Sequence, residues 1–368
     1  MYAGPRRAHA VFISAMPLPL TEPPRSLCLL RLSALGDVCN TLPLLSTLQA
    51  RWPDTRITWI IGALEHTLVG DIDGVEFITF DKRHGRAALR DLRRRLKGRR
   101  FDVLLHMQTA LRASLVSLAV PARTRIAFPR GYAKDLQWLF ARHHAPAAAG
   151  QHVLDTFLAF ARALGVDEPV LRWDIPLPEA TRDFARQYIG EGRPALIISP
   201  CSSMAYRNWT VEGYVQVAEH AVLAHGLQVL VTGGPSALEQ EYGQAIAARA
   251  RVPVTNLVGR TDLKQLAALL ARARVVLAPD SGPAHLANAV GTPVIGLYAA
   301  TNPDRARPYL WGEYVVSRYA EAVEEVHGRP VNRLPWGIRV RAPGTMARIT
   351  ADEVIATLDR LLAGHAAS

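Results

Sequence analysis

At 368 residues the chain is longer than a typical single domain, so we expect two domains. Its 49% hydrophobic and 20% charged residues are typical of a globular protein and exclude a disordered chain, and no apolar run reaches the roughly 20 residues of a membrane helix. The net charge of +11 indicates an anionic partner.

The N-terminus and the cysteines both favour a protein of the reducing cytosol. The first 25 residues include AVFISAMPLPL, which is short, interrupted by prolines and followed by no clear cleavage site. We therefore expect residues 1–25 to form a flexible leader rather than a secretory signal, with Met16 as an alternative start. Cys28, Cys39 and Cys201 are far apart and lack CxxC spacing, so we expect neither a disulfide framework nor a zinc site.

The first half of the chain alternates apolar strands with helices. LCLLRL predicts a buried strand, DVCNTLPLLSTLQARW a helix and ITWIIG the next strand, and a helix over 153–166 closes the half. This alternation is typical of a doubly wound parallel sheet, so we predict a Rossmann-like domain over 26–170. Its first strand runs directly into Gly36 and Asp37, which places a carboxylate where a strand turns into a helix.

A strongly basic segment lies within this half. Between Lys82 and Arg100 there are ten Lys or Arg residues and one acid. Leu89, Leu92 and Leu96 recur at helical spacing, which predicts an amphipathic helix with a basic outer face. That face is either merely solvated, a nucleic-acid patch, or a surface for anionic lipid head groups and phosphorylated glycans.

The second half repeats the pattern of the first. After a proline-containing linker, predicted over 171–194, PALIISP begins another strand, turn, helix and strand, and we predict a second Rossmann-like domain over 195–349. Thr350 and Glu353 match a capping box at the start of a final helix and tail, 350–368. The segment 313–343 is irregular and allows no assignment. Two such sheets facing one another would leave a cleft at the carboxyl ends of their strands, where open α/β folds bind ligands.

The turn APDSGPAH has the residues of an anion site. Ser281 can cap a helix that begins near Pro283, and Gly282 allows a ligand to approach the backbone closely. The N-terminus of that helix would attract a diphosphate, and His285 would add a donor. Ordinary capping without a ligand explains this turn equally well.

A second turn, CSSMAYRNW, strengthens the case for phosphate. The hydroxyls of Ser202 and Ser203 and the guanidinium of Arg207 precede another predicted helix, and these groups suit phosphate oxygens. The chain lacks GxxxxGK[ST], and its first turn lacks GxGxxG, which argues against an ATPase and an ordinary dehydrogenase.

The carboxylate of Asp37 has three possible roles. It could coordinate a metal, cap the following helix, or act as a general base. Its immediate neighbours offer no second acid for a metal. A base that faces a phosphate site fits transfer of an activated group from a nucleotide donor to a hydroxyl.

At this point the motifs resemble a known family. LLRLSALGDVCNTLP, SSMAYRNW and APDSGPAHLANAVGTPVIGLYAATNP resemble the heptosyltransferases of glycosyltransferase family 9, from about Ser26 to the last helix. The resemblance implies a GT-B fold of two Rossmann-like domains, with ADP-heptose bound mainly by the C-terminal half and a lipid-linked acceptor by the N-terminal half. It also implies synthesis of the lipopolysaccharide inner core, peripherally on the cytoplasmic face of the inner membrane.

The resemblance assigns roles by position. Asp37, after Gly36, would be the catalytic base. The donor would meet Glu239 at the ribose, Thr261 at the adenosine, and at the diphosphate Ser202, Ser203, Arg207, Asp280, Ser281, Gly282 and His285. The anionic Kdo–lipid A acceptor would meet Lys82, Arg83, Arg86, Gln108 and Arg112. The family often has Lys in place of Arg207, Thr in place of the serines, and Gly after the Gln108 position, so the phosphate geometry and this loop can differ here.

The implied mechanism is an inverting single displacement that needs no metal or other cofactor. One alternative is a related GT-B transferase or epimerase that uses another nucleotide sugar. Another is a basic nucleic-acid-binding protein, but this would place aromatic residues within the basic segment, which has none. A third is a family member that binds a nucleotide sugar without turnover.

Overall fold

Within residues 22–147 and 150–364, which the computed structural model describes, the chain forms two parallel six-stranded sheets. Most of the predicted leader and the end of the predicted tail therefore lie outside the described residues. The chain forms two compact units. The first contains 22–33, Thr41–His66 and Asp73–Leu171, and the second contains Ala34–Asn40, Thr67–Ile72 and 172–364.

The first sheet comes from the N-terminal half of the chain. Its strands are β1 (Ser26–Leu30), β2 (Arg56–Gly62), β3 (Val75–Phe80), β4 (Phe101–His106), β5 (Ala122–Ala127) and β6 (His143–His144). Their order is β3-β2-β1-β4-β5-β6, with all neighbours parallel. The helices of this half are α1 (Leu35–Arg51), α2 (Ala63–Val69), α3 (Gly85–Arg95), α4 (Leu111–Ser117) and α5 (Val153–Ala163).

The second sheet repeats this topology. Its strands are β7 (Ala195–Ile198), β8 (Gln228–Val231), β9 (Val254–Asn256), β10 (Val275–Pro279), β11 (Val294–Tyr298) and β12 (Val315–Ser317). Their order is β12-β11-β10-β7-β8-β9. Read from β9, this is the same order as in the first sheet, and both sheets match the 3-2-1-4-5-6 order of Rossmann folds. The predicted fold class, two Rossmann-like parallel sheets, is therefore confirmed.

The helices of this half complete the second unit. They are α6 (Glu179–Tyr188), α7 (Val211–His225), α8 (Ala237–Arg249), α9 (Leu263–Arg272), α10 (Gly282–Ala289), α11 (Pro303–Ala306), α12 (Tyr319–His327) and α13 (Ala351–Gly364). Helix α6 lies within the predicted linker and packs against α9. Among the described residues, no helix has both the length and the hydrophobicity that a bilayer crossing requires.

One apolar core joins α3 and α4 to the same face of the first sheet. Leu92 and Leu96 from the α3 segment and Val116 from α4 belong to a buried cluster with Leu30 and Leu104 of the central strands. The predicted amphipathic basic helix is thus confirmed as α3, because its leucines turn inward and its arginines remain exposed. The outer faces of α3 and α4 consequently lie on the same side of this sheet.

The last helix docks on the second sheet as its sequence suggests. The N–H of Thr350 donates to the Glu353 carboxylate at 2.9 Å, and the N–H of Glu353 donates to the Thr350 hydroxyl at 3.4 Å. This reciprocal pattern confirms the predicted capping box. Leu358 and Leu361 of α13 are fully buried in the core that also contains Trp209.

The segment 313–343, which had no sequence assignment, contains β12 and α12 and then returns to the end of β11. The N–H of Val340 donates to the Ala300 carbonyl at 3.0 Å, and Thr301 pairs with Arg339 in an isolated antiparallel bridge. These bonds hold residues 339–341 near the carboxyl end of β11.

Candidate functional site

The turn after β10 presents a helix N-terminus with unused hydrogen-bonding capacity. Asp280 is buried, and Ser281 occupies the N-cap position of α10. The prediction that the Ser281 side chain caps this helix is wrong, because the residue has the extended backbone of a cap (φ −149°) but its hydroxyl makes no capping bond. Within the described residues that buried hydroxyl has no partner. A buried unpaired hydroxyl typically costs about 1–3 kcal/mol, so a ligand that bonds it would recover this cost.

Arg207 is held against this turn. It ends a 3₁₀ helix, Ala205–Arg207, and its Nη1 lies 3.0 Å from the Asp280 carboxylate and donates to the Asp280 carbonyl at 3.3 Å. Its buried Nε has no partner among the described residues. The ion pair therefore orients a guanidinium that still has a donor to offer.

A hydrogen bond within the loop holds the serine turn that precedes Arg207. The N–H of Ser202 donates to the Asn208 side chain at 2.8 Å, which closes the loop between β7 and α7. Ser202 is buried, whereas Ser203 is exposed. Only the first of the two predicted phosphate-binding hydroxyls is thus enclosed by the protein.

The Gly36–Asp37 turn lies against α10. Residues 34–40 belong to the second compact unit, and a Cβ added to Gly36 would come within 2.5 Å of the His285 ring. A Cβ on Gly282 would likewise come within 3.0 Å of the Leu35 side chain. Glycine at both positions permits this approach, and it explains why the two Gly-Asp turns that stood out in the sequence contain glycine.

Asp37 stands in the first turn of α1 and is half-buried. Its negative charge acts on two neighbours in the second unit, His285 and Arg305. Burial lowers the pKa of His285, although Asp280 and Asp37 oppose this shift. The imidazole is therefore neutral near pH 7, packed beneath Gly36.

Three arginines that the sequence analysis did not identify, Arg305, Arg339 and Arg341, also belong to this site. Burial lowers the pKa of the Arg305 guanidinium, and the charge of Asp37 partly offsets the shift. Arg207 and Arg341 each lie 5.6 Å from the centroid of the Tyr206 ring, a cation–π distance. Burial opposes ionisation of Tyr206, but Arg207, Arg339 and Arg341 outweigh it and lower the pKa of the phenol. The site is thus richer in cations than predicted.

Glu239 and Thr261 stand at two other helix starts of the second unit. One carboxylate oxygen of Glu239 accepts from the N–H of Gly234 at 2.7 Å, and the other accepts from the Ser236 hydroxyl at 2.6 Å. Both oxygens thus stabilise the turn before α8. Thr261 is half-buried and immediately precedes Asp262, the N-cap of α9.

The predicted acceptor residues lie separately in the first unit, after the carboxyl ends of β3 and β4. Lys82 and Arg83 form a 3₁₀ helix capped by Asp81, whose carboxylate also binds Arg83 at 2.7 Å. The Gln108 side chain is hydrogen-bonded within the protein: its oxygen accepts from the N–H of Leu32 at 2.7 Å, and its amide nitrogen donates to the Ser33 hydroxyl at 3.3 Å.

Arg86 and Arg112 are exposed on α3 and α4. In the strand order, β3 and β4 are three spacings apart, or roughly 14 Å. A ligand that touched both Lys82 and Gln108 would therefore have to be about the size of a disaccharide or larger.

Taken together, the second unit can hold a dianion beside a carboxylate. The first-turn N–H groups of α10, the Ser281 hydroxyl and the arginines would meet phosphate oxygens. Asp280 pairs with Arg207, and the half-buried Asp37 carboxylate lies on the α1 side of the group. Such a set can bind a diphosphate and accept a proton close to it.

Comparison with known proteins agrees with these features. The model of glycosyltransferase family 9 (heptosyltransferase) matches residues 89–335. OpsX of Haemophilus influenzae, a lipopolysaccharide core heptosyltransferase, is 41% identical over 94% of this chain and 99% of its own length.

Solved structures show the same fold. A family 9 glycosyltransferase of Veillonella parvula superposes with a TM-score of 0.76 at 20% identity, covering 95% of this chain and 99% of that one. The Escherichia coli heptosyltransferase WaaC, solved with ADP, gives a TM-score of 0.71 at 19% identity, with 91% and 99% coverage.

Proposed function

The chain belongs to glycosyltransferase family 9, and from this membership we propose that it transfers heptose from ADP-heptose to the Kdo or heptose sugars of the lipopolysaccharide inner core. Its 41% identity with a lipopolysaccharide core heptosyltransferase supports this substrate class. The observation that carries the proposal is the contact of the Gly36–Asp37 turn with α10 inside one compact unit. A carboxylate beside an anion site is what such a transfer requires.

The donor diphosphate would bind at the start of α10. Arg207 and the Ser281 hydroxyl would contact its oxygens, because each has an unpartnered buried polar atom within the described residues. Arg305 would add positive charge on the Asp37 side. These donors are already held in place, so they would stabilise the negative charge that develops on departing ADP without reorganising.

Asp37 would act as the general base. As the acceptor hydroxyl oxygen bonds to the anomeric carbon, its proton passes to the Asp37 carboxylate and the bond from that carbon to the diphosphate oxygen breaks. Attack from the face opposite the leaving group inverts the anomeric centre, through an oxocarbenium-like transition state as in glycoside hydrolysis. His285 is a poorer base, since its ring is buried against Gly36.

We further propose that this chemistry needs no metal. The sequence has one DxD triplet, Asp71-Ile72-Asp73, but Asp71 pairs with Lys264 at 2.6 Å. Among the described residues, His220, His225 and Asp359 form a group that could hold an ion. His225 ends α7, about 22 Å along that helix from the loop that contains Arg207, so an ion there would not reach the diphosphate.

The test of the proposed function is an assay with ADP-heptose and Kdo2–lipid A, with the product identified by mass spectrometry. We expect the acceptor to gain one heptose, with equal rates in the presence and absence of EDTA. UDP-linked sugars, which a related GT-B enzyme would use, should give no product. Failure to transfer heptose would refute the proposed function, and activity lost with EDTA and restored by magnesium would refute its metal-free part.

Lys82, Arg83 and Arg86 would bind the anionic groups of the acceptor. On a deacylated, water-soluble acceptor, replacing all three with alanine should raise KM roughly tenfold or more while kcat changes little, because charge-assisted bonds to phosphate and carboxylate are lost in binding. The matched control replaces the exposed Arg51, Arg56 and Arg123, which removes the same charge at the amino-terminal edge of the sheet. An unchanged KM in the first variant, or an equal rise in both, would contradict the assignment.

The enzyme would work at the cytoplasmic face of the inner membrane, attached peripherally. The exposed arginines of α3 support this, because each cation near an anionic leaflet contributes about 1 kcal/mol.

A further inference from the structure

The exposed face of α4 is apolar, which is unusual for a helix at the surface of a protein. Leu111, Leu115 and Leu118 recur at helical spacing and are 49%, 51% and 58% exposed. Ala113 and Val116, between them, are buried against the first sheet. Surface helices normally carry polar residues on this side. Helix α4 therefore exposes leucines on its outer side while Ala113 and Val116 on its inner side pack in the core.

Two further leucines extend this apolar face. The 3₁₀ helix Gln137–Phe140 packs against α4, and the N–H of Leu111 donates to the Asp135 carboxylate at 3.2 Å. Leu136 and Leu139 are 60% and 59% exposed. Leu136 adopts a left-handed conformation (φ 57°), which is costly for a bulky side chain. We call these two residues, together with Leu111, Leu115 and Leu118, the leucine patch.

Cations surround the leucine patch. Arg112 is exposed on α4, and Arg130 and Lys134 are exposed in the loop before the 3₁₀ helix. The Arg130 guanidinium lies 3.9 Å from the centroid of the Trp138 ring in that 3₁₀ helix. Helices α3 and α4 pack on the same face of the sheet through one core, so the basic outer face of α3 also lies on this side. The result is one surface with an apolar centre and a basic margin.

We propose that this surface is where the protein docks on an anionic lipid bilayer, with the leucine patch in the interfacial region and the arginines at the head groups. The proposal rests on the lipid-linked acceptor of the proposed function. Interfacial protein segments combine apolar side chains with a Lys- and Arg-rich border in this way. The basic charge alone would fit a nucleic acid, but five exposed leucines would not, because phosphates are bound by cations and single-stranded bases by aromatic rings.

Binding to vesicles tests the proposal. The full-length protein should cosediment with phosphatidylglycerol vesicles, weakly with phosphatidylcholine vesicles, and should remain partly bound at high salt because the apolar contribution is not screened. Replacing Leu111, Leu115 and Leu118 with glutamine should weaken binding about tenfold or more. Leu223→Gln, a change at a leucine that is 78% exposed on α7, is the matched control and should bind as the wild type does.

Three outcomes would overturn the proposal. They are wild-type protein that ignores anionic vesicles, a triple variant that binds them as tightly as wild type, and a triple variant that becomes monomeric from a wild-type dimer with vesicle binding unchanged. The last result would identify the patch as a subunit interface.

The experiments distinguish failure of the proposed heptose transfer from failure of the membrane-docking proposal. The triple variant should transfer heptose to a deacylated acceptor at the wild-type rate, which also shows that it is folded. Wild-type protein that binds vesicles through the patch but transfers no heptose would refute the function and leave the docking surface standing.

Discussion

Asp37→Asn should lower kcat by about 10²–10⁴-fold while leaving ADP affinity within a few-fold of wild type. Asparagine keeps the size of the side chain but cannot accept the proton of the acceptor hydroxyl. Because Asp37 lies in the first turn of α1 beside His285, removing its charge also removes a neighbour of Arg305. That change concerns local electrostatics rather than the diphosphate contacts, so ADP should still bind. Rates come from the heptose-transfer assay and affinity from calorimetry.

Asp54→Asn is the matched control, since it is an exposed aspartate in the loop before β2 and should behave as wild type. Two results would contradict the role of Asp37. If the variant keeps more than about a tenth of the wild-type kcat, positioned proton transfer is not its contribution. If ADP affinity falls together with the rate, Asp37 belongs to donor binding.

Arg207→Ala should weaken ADP binding and also slow turnover, with a loss of about 2.7–4 kcal/mol of transition-state stabilisation, the cost of removing one oxyanion donor. The substitution also leaves the Asp280 carboxylate buried beside the helix terminus without its 3.0 Å partner. We therefore expect a lower melting temperature as well, which must be measured so that the rate is read only on folded protein.

Arg207→Lys separates these two effects. Lysine retains the charge opposite Asp280 and should restore most of the stability, but it lacks the fork that reaches both Asp280 and the ligand. We expect ADP affinity intermediate between alanine and wild type. Arg249→Ala, at an exposed arginine of α8, is the control for loss of one positive charge. An Arg207→Ala enzyme with wild-type ADP affinity would show that the diphosphate binds elsewhere.

Most of the fold could be predicted because its signals are local. LCLLRL reads as a buried strand, and β1 covers Ser26–Leu30 with its last four residues fully buried, as expected in a parallel sheet covered on both faces. The leucine spacing of α3 and the Thr350–Glu353 box are likewise properties of one or two helical turns. The identical strand order of the two sheets explains why the two halves read alike in sequence.

The candidate site was predictable only where its residues stand at strand-to-helix turns. The roles of Asp37, Arg207 and the other proposed residues stay predictions, although the structure places the Gly36 and Gly282 turns in contact. Arg339 and Arg341 were missed because their segment has no periodicity and is positioned by a main-chain bond between Val340 and Ala300, which are 40 residues apart.

The orientation of individual side chains could not be predicted from the sequence for a different reason. Ser281 has the residue type and backbone of an N-cap, but the rotation of one hydroxyl decides whether the capping bond forms. The exposed leucines of α4 were missed because a seven-residue helix shows too little periodicity to separate its inner face from its outer one.

A crystal structure of the protein with ADP tests the central claim most directly. We expect the diphosphate oxygens within hydrogen-bond distance of the Gly282 and Ala284 N–H groups, the Ser281 hydroxyl and the Arg207 guanidinium, with no metal between them and with the Asp37 carboxylate facing the position of the departing sugar. ADP bound away from the start of α10, or a diphosphate held through a metal ion, would contradict the account.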